Sequence, residues 1–93
     1  MPKKIFKYQL QTTRIQQVEM PQDAEILCIQ TQNETPCLWA LVKPNTITIK
    51  RTFEIFATGR SIRENANRSY VGTYQLNGGE LVFHCFELHD III

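Results

Sequence analysis

Apolar and polar residues alternate with a period of two through most of this chain. That spacing puts one class on each face of a pleated strand, and it excludes a helical bundle. Lys4–Leu10 sets Phe6, Tyr8 and Leu10 on one face, with Lys7 and Gln9 on the other. Thr, Ile and Val supply 24 of the 93 residues. Side chains branched at Cβ suit strands and lose freedom in helices. A chain of this length holds one domain, residues 1–93, with a single small core.

Further strands follow in order. Arg14–Met20 carries Ile15, Val18 and Met20, so its alternation slips at Gln16-Gln17, where a β-bulge would restore the facing. Pro21-Gln22-Asp23 reads as a turn. Glu25–Gln32 and Thr35–Val42 come next. The second contains CLWALV, apolar on both faces, which marks a central strand. Lys43-Pro44-Asn45 closes it, and Thr46–Thr58 reads as one bent strand or two short ones. Gly59–Ser69 is the one long polar segment, a loop with room for a helical turn at Ile62–Ala66. Tyr70–Leu76 and Glu80–Leu88 form a hairpin about Asn77-Gly78-Gly79, residues that accept positive φ cheaply. The expectation is all-β: a small antiparallel sandwich or open barrel of about seven strands, mostly up-and-down. Its core candidates are Phe6, Tyr8, Ile26, Cys28, Leu38, Trp39, Leu41, Phe53, Ile55, Tyr74, Phe83 and Phe86. Three apolar residues, Ile91–Ile93, end the sequence and are expected to dock on the domain or on a partner chain.

The formal net charge of +1 is too small for a large electrostatic footprint on nucleic acid, so that partner is not expected. The charge is uneven, however. Residues 43–68 hold six cations against two carboxylates, a net of +4, whereas residues 69–93 hold three carboxylates and no Lys or Arg. Three cysteines, Cys28, Cys37 and Cys85, fit poorly with a secreted disulfide framework and have no C-x-x-C spacing. They read as free thiols in a reducing cytoplasm. No membrane span and no signal-peptide pattern are seen.

Candidate chemistry concentrates in Gly59–Tyr70. Arg60, Arg63 and Arg68 are interleaved with Asn65 and Asn67, and Tyr70 ends the run. Guanidinium forks match phosphate and carboxylate, and a tyrosine ring can stack on a base. Lys50 and Arg51 would join the patch if their strand end lay nearby. The bland reading of the same stretch is a solvated loop. Trp39, the single tryptophan, reads as core, with a binding platform as the alternative. His84 alternates with Val82, Phe86 and Leu88, so it reads as a satisfied strand histidine, with a pocket base as the alternative. His89 points to the other face of a regular strand, so the two do not share a metal. No nucleophile elbow, phosphate loop or dinucleotide fingerprint is present. Neither catalysis, a metal nor a cofactor is expected.

The opening KKIFKYQL (residues 3–10), the segment PQDAEILCIQTQNETPCLWALVKP (21–44) and the hairpin YVGTYQLNGGELVFHCFEL (70–88) together resemble a family of small bacteriophage and bacterial proteins, a domain of unknown function. RTFEIFATG (51–59) is also similar. Asn33-Glu34 departs from the glycine expected at that turn, and Ile91–Ile93 is peculiar to this chain. The resemblance implies a small accessory protein, often virus-encoded, that binds rather than catalyses. Two functions follow as expectations: a non-enzymatic module that binds a host protein, with a possible anti-defence role, or a sponge for a nucleotide-derived signal. The second would need a site at a subunit interface, since one small β domain has little room for a pocket. Exposed strand edges favour a homo-oligomer.

Overall fold

The computed structural model describes residues 2–89. Seven strands make up the fold: β1 (Lys4–Gln9), β2 (Ile15–Pro21), β3 (Glu25–Gln32), β4 (Thr35–Val42), β5 (Thr48–Ala57), β6 (Arg68–Leu76) and β7 (Leu81–Leu88). They form two antiparallel sheets, one ordered β1-β4-β3 and the other β2-β5-β7-β6. The result is a compact, sandwich-like fold and not a closed barrel. Ile91–Ile93 lie outside the described residues.

Consecutive strands pair only in the hairpins β3–β4 and β6–β7. The remaining pairs, β1–β4, β2–β5 and β5–β7, join strands distant in sequence. The topology is therefore not mostly up-and-down. The doubly apolar β4 takes the centre of the three-stranded sheet, with β1 and β3 on its two edges. Cys37, Leu38, Ala40 and Val42 are all essentially inaccessible.

The core lies between the inward rows of both sheets and includes Met20, Ile29, Leu38, Phe53, Ile55, Tyr74 and Cys85. Phe6, Tyr8, Ile26 and Phe83 pack against it and are partly exposed. Four other core candidates, Cys28, Trp39, Leu41 and Phe86, are half-buried and outside the core. Trp39 alternates with Leu38 and Ala40, so it faces outward, with the Lys7 ammonium 5.9 Å from its ring centroid.

No bulge occurs at Gln16-Gln17, since β2 pairs with β5 in unbroken register from Ile15 to Pro21. Gln16 simply takes the inward position. Its amide group is satisfied there: Nε2 donates to the Gln11 carbonyl at 2.6 Å, and Oε1 accepts from the Gln11 N–H at 3.1 Å. Ile15 is left 46% exposed on the outer face. The register shifts lie elsewhere, between Ile26 and Cys28 in β3 and between Tyr70 and Gly72 in β6.

Thr46–Thr58 resolves into one strand of ten residues, β5. The polar segment is shorter than its sequence suggests, because Arg68 and Ser69 pair with Leu88 and Glu87 as the first residues of β6. Ile62–Ala66 forms no helix, only a turn at Glu64-Asn65 followed by a bend at Ala66. At the β3–β4 turn both Asn33 and Glu34 have positive φ, 51° and 65°. That is the backbone of a two-residue hairpin turn matched to strand twist. Glu34 holds it at some steric cost, and its carboxylate accepts a hydrogen bond from the Asn77 N–H at 2.6 Å.

Candidate functional site

β5 and β6 both run antiparallel to β7 and so run parallel to each other, with β7 between them. Residues 58–67 must therefore return along the sheet from the end of β5 to the start of β6. A crossover of this kind lies on one face of its sheet. Here it is the outer face. Glu54 and Phe56 alternate with the core residues Phe53 and Ile55 and point outward, yet they are only 6% and 5% exposed.

Arg68 fastens this arrangement. Its Nε donates to Glu54 Oε1 at 2.5 Å, its Nη1 donates to the Arg63 carbonyl at 2.6 Å, and its guanidinium lies 5.6 Å from the Phe56 ring centroid. Arg51 has an equivalent role on the inner face. Its Nε and Nη2 donate to both Glu87 oxygens at 2.6 and 2.7 Å, and its Nη1 donates to the Ala24 carbonyl at 2.5 Å. Both pairs are largely removed from water. The Arg51–Glu87 pair is a two-pronged fork and the Arg68–Glu54 pair a single contact supplemented by the Arg63 carbonyl, and hydrogen bonding of this kind is what makes such burial tolerable.

The predicted cationic patch is thus divided. Arg51 and Arg68 lie on opposite faces of the same sheet, each bound to a glutamate, and do not converge. Lys50 is exposed and sits opposite Glu19 in the β2–β5 ladder. Arg60, Arg63, Asn65 and Asn67 are exposed on the crossover. Asn67 contributes its carbonyl to the His89 N–H at 2.8 Å. Arg60 and Arg63 form no ion pair among the described residues.

His84 stands on the outer face, between Phe56 of β5 and Thr73 of β6. Its Nε2 lies 2.7 Å from Thr58 Oγ1 and its Nδ1 lies 2.9 Å from Thr73 Oγ1. Thr73 Oγ1 is in turn 2.5 Å from the Tyr70 hydroxyl. Both ring nitrogens are held by hydroxyls that can donate or accept, so either neutral tautomer is satisfied. The side chain sits on the outer face of the sheet, tied to the start of the crossover at Thr58.

Tyr70 is 61% exposed but not loose. Its ring meets Phe86 edge-on at 5.4 Å, Phe86 meets Phe56 at 5.9 Å, and Thr73 fixes its hydroxyl. It is an ordered aromatic presented to solvent. Sequence reading named Tyr70 but missed Glu54 and Glu87, the acids that take up two of the arginines. The signal was present: a carboxylate inside an apolar strand run, such as FEIF or CFEL, has to find a cation.

Among the thiols, Cys28 is half-buried while Cys37 and Cys85 are buried, and all three are free. Burial pushes the Cys85 thiol up to about 12, with the Glu87 charge adding to the shift. Among the described residues no three His, Cys, Asp or Glu side chains gather as metal ligands. No described helix is long and apolar enough to cross a membrane.

The family model for DUF7352, a domain of unknown function, matches residues 1–91. The chain belongs to that family. No curated protein and no solved structure matches it. Membership of DUF7352 brings no established site residues, so the geometry above is the basis for a functional reading.

Proposed function

We propose that this protein is a non-enzymatic binding module, phage-associated, that acts in the host cytoplasm by engaging a host protein. The observation that carries this reading is Tyr70, an exposed aromatic ordered by Phe86 and Thr73. Rigid tyrosines of this kind carry much of the energy of protein interfaces, because little side-chain entropy is left to lose on contact. Three of the groups that could serve catalysis or phosphate clamping are engaged within the fold. Both nitrogens of His84 are engaged, and Arg51 and Arg68 neutralise buried glutamates. A role against host defence is the biological form this activity would take. The test is capture of a partner from bacterial lysate, followed by titration of the purified partner. Tyr70→Ala should weaken binding by tenfold or more. An unchanged affinity would sink the reading.

A second reading, a sponge for a nucleotide-derived signal, is favoured by one observation. Arg60 and Arg63 are exposed cations with no carboxylate partner among the described residues. A thermal-shift panel of mono-, di- and cyclic nucleotides at millimolar concentration decides it. A shift abolished by Arg60→Ala/Arg63→Ala would displace the first reading.

A further inference from the structure

The two sheets meet where β3 and β6 lie side by side. The strands run in the same direction. Residues 24–27 of the first face 69–71 of the second, Ile29 faces Gly72, and residues 30–31 face 73–75. No backbone hydrogen bond joins them, and each belongs to a different sheet. Two unpaired strand edges therefore confront one another inside a single molecule. They touch at Gly72, where an added Cβ would come within 2.9 Å of the Ile29 side chain.

Below that contact the edges part. The register of β3 shifts between Ile26 and Cys28, and that of β6 between Tyr70 and Gly72. The two bulges thus face each other across the gap. A bulge bends its strand and ends regular pairing, and here the pair opens a cleft of about 360 Å³. The exposed Leu27 (45%) and Tyr70 (61%) flank it. The Arg51–Glu87 pair lies within it, its charges cancelled. Glu25, also in the lining, is exposed and forms no ion pair among the described residues. The cleft is therefore mixed in character, with one uncompensated negative charge beside the apolar side chains of Leu27, Val71 and Tyr70 and the unpaired strand edges.

We infer that this cleft takes an extended segment of a partner protein as an added strand, with a β-branched residue between Leu27 and Tyr70 and a basic residue opposite Glu25. Main-chain bonds to a free edge supply affinity in this mode, and alternate side chains supply specificity. The inference rests on the protein-binding reading and names its site. An anionic ligand does not suit this cleft, because Arg51 is already bound to Glu87.

The probe is the acetylated, amidated pentapeptide RVIVT, with EVIVT as its charge-reversed control. The whole ¹⁵N-labelled chain is titrated with each and followed by amide chemical shifts. The expected result is that RVIVT moves amides in 24–28 and 68–71 and that EVIVT binds at least tenfold more weakly. Glu25→Lys, an exposed position, should reverse that preference. Tyr70→Ala should weaken both peptides while the spectrum keeps its folded dispersion. Absence of binding, shifts centred on the outer edges of β1 or β2, or a preference untouched by Glu25→Lys would overturn the inference. If those failures occur while a captured partner still depends on Tyr70, the cleft mode falls and the protein-binding reading stands. If the captured partner ignores Tyr70, that reading falls by itself.

Discussion

Arg60 and Arg68 share a short segment and the same chemistry, but their surroundings give them different work. Arg60 is exposed, whereas Arg68 joins a buried carboxylate, a crossover carbonyl and an aromatic face. Removing one member of a buried pair strands the other charge, at a cost of about 3–5 kcal/mol. Arg68→Ala should therefore lower stability by roughly 3 kcal/mol in urea unfolding. Arg60→Ala and Arg63→Ala should each stay within about 0.5 kcal/mol of the parent. Equal effects at the three positions would refute the assignment of Arg68 as the crossover's fastening. Cys85 gives a second residue-scale prediction. Its folded thiol titrates at about 12, against an ordinary value of 9.0. The folded state then retains a proton that the unfolded chain releases, so stability should decline as pH rises from 9 towards 12. Burial raises the Tyr74 hydroxyl in the same direction. Cys85→Ala should flatten the slope of stability against pH in that window, and an unaltered slope would exclude Cys85 as its source.

The elements were the most legible part of the sequence. Seven strands follow from the period-two pattern, and β4 was marked as central by CLWALV. The register of β2 was misread because its alternation was judged on apolar residues alone. Gln16 fills an inward position through hydrogen bonds to the Gln11 backbone, and no hydrophobicity pattern reports that. Strand order was not legible either, since β1–β4, β2–β5 and β5–β7 are long-range choices fixed by packing. The candidate site was half legible. Tyr70 was named from its neighbours, but the cleft depends on two bulges in strands that meet only in three dimensions. The β3–β4 turn carries an element-scale prediction. Glycine would relieve the positive φ of Glu34, worth about 1 kcal/mol. It would also remove the acceptor that ties this hairpin to Asn77 in the turn between β6 and β7. Glu34→Gly should leave the melting temperature within a few degrees of the parent while speeding hydrogen exchange at the Asn77 amide several-fold. Unchanged exchange would mean that the contact does not couple the two tips.

At the scale of the molecule, the fold is held at the β3–β6 seam by side-chain packing and the Glu34–Asn77 contact, without a strand ladder. Gly72 sets how closely the sheets approach. Gly72→Ala should cost about 1–3 kcal/mol through overpacking against Ile29, and the loss should shrink in an Ile29→Ala background. Additive losses would show that the cost of a Cβ at Gly72 does not come from Ile29. On the reading proposed above, the seam also links architecture to function, because the same unpaired edges border the cleft beside an ordered tyrosine. The central claim is that this surface engages a protein. Native mass spectrometry of the intact chain after incubation with host lysate tests it most directly. The account predicts a complex carrying a protein-sized added mass, lost on Tyr70→Ala and kept on Arg60→Ala/Arg63→Ala. A nucleotide-sized adduct with the opposite dependence would contradict it.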